Sequence, residues 1–228
     1  MNFLKIIESR HSTRAFDPTR PVSKAAVHSI LHAARNAPSS QNNQPWRCIV
    51  ITGQERDNLS KSLLHAYDNN LPTSPGYKNR SNVLDSAQQA GIDASGKWWY
   101  TDIHGIPQED KDKRRPIYRK NYEFYGAPIH VLLCVPEKSV EGTFLDAGAF
   151  LQNILLGCAA LGLGAIPQFS VAAYSEVVKA TLNISNNDII VCGISIGYPS
   201  SQAVKGGPPR HEVDDFTKWI GFDKENTE

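Results

Sequence analysis

The densest cluster of groups able to hold a charged ligand is Arg10-His11-Ser12-Thr13-Arg14. Guanidinium groups take phosphate through planar, bidentate, charge-assisted hydrogen bonds. Two of them beside two hydroxyls suit a phosphate and an attached polyol chain. The same residues would also serve as a basic helix end complementing the dipole. A second run, Ala37-Pro38-Ser39-Ser40-Gln41-Asn42-Asn43-Gln44-Pro45-Trp46, offers hydroxyls, amides and backbone groups without charge. It is either a polar ligand loop or an ordinary turn. Lys205-Gly206-Gly207-Pro208-Pro209-Arg210 could bring cations to the same phosphate from the far end of the chain, or be a solvated loop.

Two other patterns carry less. Gly193-Ile194-Ser195-Ile196-Gly197 has the spacing of a hydrolase nucleophile elbow, which needs a sharp turn into a helix after the serine. Here the serine lies in an apolar strand, and the later His211 precedes Asp214 and Asp215. His28 and His32 stand four apart on a helix, but no third metal ligand is near them.

The elements that must position these groups follow from periodicity. Residues 2 to 9 put Phe3, Ile6 and Ile7 on one helical face. Ser23 caps a helix carrying Val27, Ile30, Leu31 and Ala34, which Pro38 ends. Trp46 to Ile51 is a strand, followed by a polar helix with Leu59, Leu63 and Leu64. His130 to Val135 is a short apolar strand. Phe144 to Leu161 is a helix apolar nearly all round and is expected to be buried on both sides. Gly162 and Gly164 end it before a strand into Pro167-Gln168-Phe169. A helix near Tyr174 to Leu182, a strand from Ile189 to Gly197 and a tail ending Trp219-Ile220-Gly221-Phe222 complete the chain. The class is α+β.

Residues 68 to 125 break this rhythm with glycines, prolines and a charged run from Glu109 to Arg115. They are read as an excursion of short helices and loops within a single domain spanning 1–228. Trp98, Trp99 and Tyr100 lie in it. They either pack into its own small core or line a pocket where a flat aromatic substrate stacks.

A length of 228 residues fits one domain, and a formal charge of +1 gives no field for nucleic acid. No apolar stretch reaches the roughly 18 residues that span a bilayer. The start Met1-Asn2-Phe3-Leu4-Lys5 lacks the features of a secretory signal. Cys48, Cys134, Cys158 and Cys192 are scattered and read as free thiols in a reducing cytoplasm, with no metal site.

Taken in order, several of these motifs resemble the nitroreductase family of FMN flavoproteins. They are the Arg-x-Ser-x-Arg segment after a short helix, the Ala-Pro-Ser-Ser…Asn…Gln-Pro-Trp loop, and Gly126-Ala127-Pro128 before a strand. Asp146-x-Gly148…Gln152-Asn153 and Gly197-Tyr198-Pro199 before a basic tail add to them. The shared Ala-Pro-Ser-Ser-x-Asn-x-Gln-Pro-Trp-Arg is nearest to the 4-nitrobenzoate reductase branch. The resemblance implies a nitroreductase-like fold, a central mixed sheet flanked by helices, and a homodimer with two FMN sites at the subunit interface.

It also implies site residues. Arg10, His11, Ser12 and Arg14 match contacts to the phosphate and ribityl chain. Pro38, Ser39, Ser40 and Asn42 match the partner's loop flanking the ring. Phe169 and Ser170 stand where backbone N–H groups meet the flavin edge, where many members carry Glu-Gly, and Gln168 beside them is a further cofactor-binding candidate. Asn121 matches a ring contact, and Arg210 with Lys205 a late phosphate-binding pair. There is no Gly-x-Gly-x-x-Gly, so NADH or NADPH would bind transiently over the flavin rather than in a Rossmann site. The implied activity is hydride transfer from the nicotinamide through flavin N5 to a nitroaromatic acceptor in ping-pong fashion, with no catalytic side chain required. Quinone or enone reduction, reductive dehalogenation, and a non-catalytic flavin-binding module stay open as alternatives.

Overall fold

The computed structural model describes residues 2–221, so Phe222 of the apolar tail lies outside the described residues. In chain order the elements are α1 (Phe3–Ser9), α2 (Lys24–Ala34), β1 (Arg47–Thr52), α3 (Gly53–Asp68), α4 (Ser86–Gly96), α5 (Lys111–Arg119), β2 (Ile129–Pro136), α6 (Glu141–Ala160), β3 (Gly164–Gln168), α7 (Phe169–Ala172), α8 (Ser175–Leu182), β4 (Asp188–Gly197) and α9 (Val213–Phe216). The chain divides into a larger unit, residues 1–81 with 112–206, and a smaller one, 82–111 with 207–228.

The larger unit is built on a four-stranded sheet of order β1-β2-β4-β3. The ladders are antiparallel throughout, where a mixed sheet was expected. The reason is the placement of β4. It enters between β2 and β3, so the two strands joined through α6 point the same way but never touch. Parallel pairing occurs only at the isolated bridge between Ser12 and Ala165.

The pleat gives the sheet two buried faces. On one, Val131, Leu133, Ile194 and Ile196 pack with Val27 and Ile30 of α2 and with Ala147, Phe150, Ile154 and Cys158 of α6. On the other, Ile51, Leu132 and Ile190 meet Leu59 and Leu63 of α3, Val171 of α7 and Val178 of α8. Local signals set the helix starts. Ser23 Oγ accepts from Ala26 N at 3.1 Å, and Asn2 Oδ1 accepts from Leu4 N at 3.2 Å.

Within the single chain, helix α6 is buried on one side. One stripe fills the core, while Leu145 on the other side is 77% exposed. Among the described residues, α6 is also the helix long and apolar enough to cross a membrane by length and composition. Its buried stripe packs on the sheet, as a core helix does. The four cysteines are free, and burial pushes the thiols of Cys48, Cys134 and Cys158 up to about 12, leaving them protonated and unreactive.

In the smaller unit, Asp85 and Gln88 form a capping box at the start of α4. The helix then runs into a π-helical segment, Lys97–Ile103, which holds all three aromatics of interest. Trp98 and Trp99 lie 5.7 Å apart, and Trp99 meets His104 edge-on at 4.6 Å.

Candidate active site along the edge strand

Strand β3 is an edge of the sheet, and the segment after α1 is laid along it. Thr13 N donates to Ala165 O at 3.1 Å, so the backbone of Ala165 faces outward. By strand alternation Pro167 faces outward too, where its missing N–H breaks no ladder bond. Thr13 is buried against Gly164, where an added Cβ would come within 2.5 Å of Thr13 Oγ1. Only glycine lets the segment lie this close. Further on, Phe16 N donates to Tyr125 O and Asp17 N to Tyr198 O, which fixes the whole stretch.

This places the first group of predicted residues. Arg10 and His11 border a cavity of about 190 Å³ with Leu155, Ala159 and Gly162 at the end of α6. His11 Nδ1 lies 2.9 Å from Ser9 O. Ser12 forms the bridge to β3. Arg14 donates to Ser12 O at 3.5 Å and borders a larger cavity, about 710 Å³, with Lys120, Tyr125 and Ser200–Gln202.

At the other end of β3, about 13 Å further along the strand, the chain turns into α7. The first N–H groups of a helix have no acceptor within it. Phe169 is 42% exposed there. Ser170 Oγ is buried and has no hydrogen-bond partner. The backbone N–H groups at the start of α7 are an arrangement that a ring carbonyl or ring nitrogen would satisfy. With two guanidiniums and a serine at the opposite end, the donor set fits a phosphate–polyol–ring ligand such as FMN.

Gln168 was expected to contact the cofactor, and the structure turns its side chain inward instead. It pairs with Gly193 on β4 and is 2% exposed. Its Nε2 donates to Asn121 O at 2.6 Å, and its Oε1 accepts from Ser195 Oγ. Ser195 Oγ lies 3.2 Å from His130 Nδ1. His130 is fully buried, stacked on Phe124 at 3.9 Å, and its Nε2 has no partner. Burial, helped by the Arg56 charge, pushes its pKa down to about 3, so the ring is neutral. Ser195, in the middle of a buried strand, has no access to a substrate, which disposes of the nucleophile elbow.

Sequence reasoning missed the His130–Ser195–Gln168 line. The available signal was three polar residues inside otherwise apolar strand segments, a pattern that requires hydrogen-bond partners. Asn121, at the end of that line, is brought to the start of α7 through its backbone oxygen, and its Nδ2 donates to Tyr118 O at 2.8 Å.

The remaining residues sit elsewhere. Pro38, Ser39 and Ser40 line a cavity of about 660 Å³ with Phe144–Asp146, Gly148 and Ala149 on the exposed side of α6. Ser40 N donates to Asp146 Oδ2 at 3.2 Å. The loop holds Gln41, Asn42 and Gln44 at φ 52°, 58° and 47°, a left-handed backbone unfavourable for side-chain-bearing residues. Ser39 Oγ accepts from Gln44 N at 3.0 Å and braces it. Asp146 and Ala159 are separated by about 20 Å of helix, so one chain does not bring this loop to Arg10. Lys205 is exposed in the larger unit. Arg210, Trp98, Trp99 and Tyr100 belong to the smaller unit, where Arg210 donates to Pro208 O at 3.1 Å.

An antiparallel sheet with α2 and α6 on one face and α3, α7 and α8 on the other, its edge strand β3 lined by the segment that carries Arg10, Ser12 and Arg14, defines an α+β protein. The pattern of the nitroreductase family matches residues 7–198. The chain is 31% identical over 227 residues to the 4-nitrobenzoate reductase of Pseudomonas putida, covering 98% of this chain and 97% of that one. It is 30% identical to the nitrobenzene nitroreductase of Ectopseudomonas oleovorans, covering 94% and 95%. The crystal structure of the FMN- and NADPH-dependent nitroreductase NfnB from Sphigopyxis sp. strain HMH superposes with a TM-score of 0.91 at 28% identity, over 97% of this chain and 100% of that one. That of the FMN-dependent nitroreductase NfnB from Mycobacterium smegmatis in complex with NADPH gives 0.88 at 27%, over 95% and 97%. The chain belongs to the nitroreductase family of oxidoreductases and has its fold.

Proposed function

We propose that the protein is a cytoplasmic FMN-dependent NAD(P)H oxidoreductase that reduces nitroaromatic or related small organic acceptors, donor and acceptor taking turns at one site. The observation that carries this is the donor set at the two ends of β3, Arg10–Arg14 at its start and the Phe169–Ser170 amides at its end. FMN, when bound, supplies the two-electron hydride chemistry. Arg10, Ser12 and Arg14 hold its phosphate and polyol, with Lys205 as a further cation. The amides of Phe169 and Ser170 donate to the ring edge, where fixed dipoles favour added negative charge.

The Pro38–Asn42 loop lies too far along α6 to serve the same chain's Arg10. It is assigned to the site of a second copy, so the working unit is a homodimer whose interface includes the exposed Leu145 face. The test is to mix the FMN-loaded protein with NADH or NADPH, follow bleaching of the yellow absorbance, and then add 4-nitrobenzoate or nitrobenzene. Rapid bleaching and reoxidation are expected. Absence of bleaching would leave a passive flavin binder, and reoxidation by a quinone but not by either nitroaromatic would move the assignment to quinone reduction.

A further inference from the structure

The hydrogen bonds inside the sheet have a fixed direction. Gln168 Nε2 donates to the backbone oxygen of Asn121, which turns Oε1 toward Ser195. The Ser195 hydroxyl proton therefore goes to Gln168, and its lone pair is left for His130 Nδ1–H. The other ring nitrogen, Nε2, lies over Gly193 and stays bare. The line crosses β2, β4 and β3 on one face, through the register pairs His130–Ser195 and Gln168–Gly193, and ends on Asn121.

Packing alone does not explain these side chains. A bare imidazole nitrogen in an apolar interior destabilises the fold, and an apolar side chain in the same slot would not. What the line accomplishes is mechanical. It ties Asn121 to the strand end from which Phe169 and Ser170 begin α7. Asn121 leads into a turn whose Phe124 and Tyr125 have φ of 53° and 54° and whose Gly126 has φ of 81°. Three successive left-handed residues need outside support, and the stacking of Phe124 on His130 provides it.

We propose that Ser195 and Gln168, backed by His130, are positioning residues that brace the Asn121 flank against the start of α7 and so set the balance of affinity between oxidised and reduced flavin. This rests on the assignment of FMN to the β3 edge. Neither residue touches the ligand; each acts through the placement of Asn121 and the α7 amides. Donors held rigidly at the ring edge favour the reduced, more negative flavin over the oxidised form. Loosening them weakens the reduced form more.

The test is the two-electron midpoint potential of the FMN-loaded protein, wild type against Ser195→Ala, Ser195→Thr and Gln168→Met, with amide hydrogen exchange of segments 119–124 and 169–173. Ser195→Ala and Gln168→Met are expected to lose about tenfold in affinity for reduced relative to oxidised FMN, a potential about 30 mV more negative. Both should exchange faster in the two segments, and Ser195→Thr, which keeps the hydroxyl, should stay within about twofold of wild type. If Ser195→Ala does not fold, Gln168→Met carries the same expectation alone. An unshifted potential in a variant that folds and binds FMN overturns the brace, however much its melting temperature falls. Failure of the wild type to bind FMN overturns instead the assignment on which the proposal rests.

Discussion

Gly193→Ala tests the packing around His130 directly. Gly193 lies on β4 between Leu132 of β2 and Gln168 of β3. A Cβ placed there meets His130 Nε2 at 2.4 Å, Cε1 at 2.6 Å and Val171 Cβ at 3.2 Å. Comfortable separations are about 3.5–4.0 Å, so the ring would have to retreat by about 1 Å. It has nowhere to go, being fully buried and stacked on Phe124 at 3.9 Å. Overpacking of this kind costs about 1–3 kcal/mol, and pulling Nδ1 away from Ser195 adds about 1 kcal/mol. Alanine's smaller loss of backbone freedom returns about 0.5–1 kcal/mol. The net is about 1–3.5 kcal/mol, which for a chain of this size lowers the melting temperature by about 2–14 °C. The assay is thermal denaturation followed by circular dichroism, extended to a cycle with His130→Ala. With the ring gone the added methyl fits, so the two changes should couple by at least about 1 kcal/mol. A Gly193→Ala protein melting within about 2 °C of wild type, or two strictly additive changes, would show that the His130 slot is looser than described.

Other perturbations test separate parts of the structure. An unfolded histidine binds its proton below about 6.5, whereas buried His130 resists until about 3. Between those values the unfolded state holds more protons, so stability falls as pH drops, by up to about 1.4 kcal/mol per unit and about 2 kcal/mol by pH 5. Urea denaturation at pH 7 and pH 5 should show this loss in wild type and a smaller one in His130→Gln; equal losses would refute it. Arg14→Ala should raise the FMN dissociation constant about ten- to hundredfold through loss of a charge-assisted contact, and an unchanged fluorescence titration would remove Arg14 from the site. Leu145→Glu puts a charge on the exposed α6 face and should convert a dimer into a 25.2 kDa monomer by light scattering; a wild type that is itself monomeric ends the two-copy assignment. Trp99→Ala should raise the apparent Michaelis constant for a nitroaromatic about two- to tenfold while FMN content holds, and unaltered kinetics would return that ring to the scaffold.

The sequence by itself determined what depends on near neighbours along the chain. The Ser23 cap and the Val27–Ile30–Ala34 stripe give α2, the runs around Ile49, Leu132 and Ile194 and the segment into Pro167-Gln168 give the four strands, and α6 is visible from its length and apolarity. The ordered motifs carried the family, because a phosphate cradle and its flanking turns are written in contiguous residues. Tertiary structure alone decided what depends on strand order. Nothing local says that β4 lies between β2 and β3, and that insertion makes the ladders antiparallel and β3 an edge. Only then does Pro167 have a reason to be in a strand, and only then does Gln168 point at Ser195 rather than at a ligand. The exposed side of α6 was hidden for the same reason: apolar residues all round a helix do not reveal which side this chain covers. Periodicity reports which residues prefer to be buried, while the register between strands decides which polar side chains are buried together, and that register is set by contacts across distances the local sequence does not span.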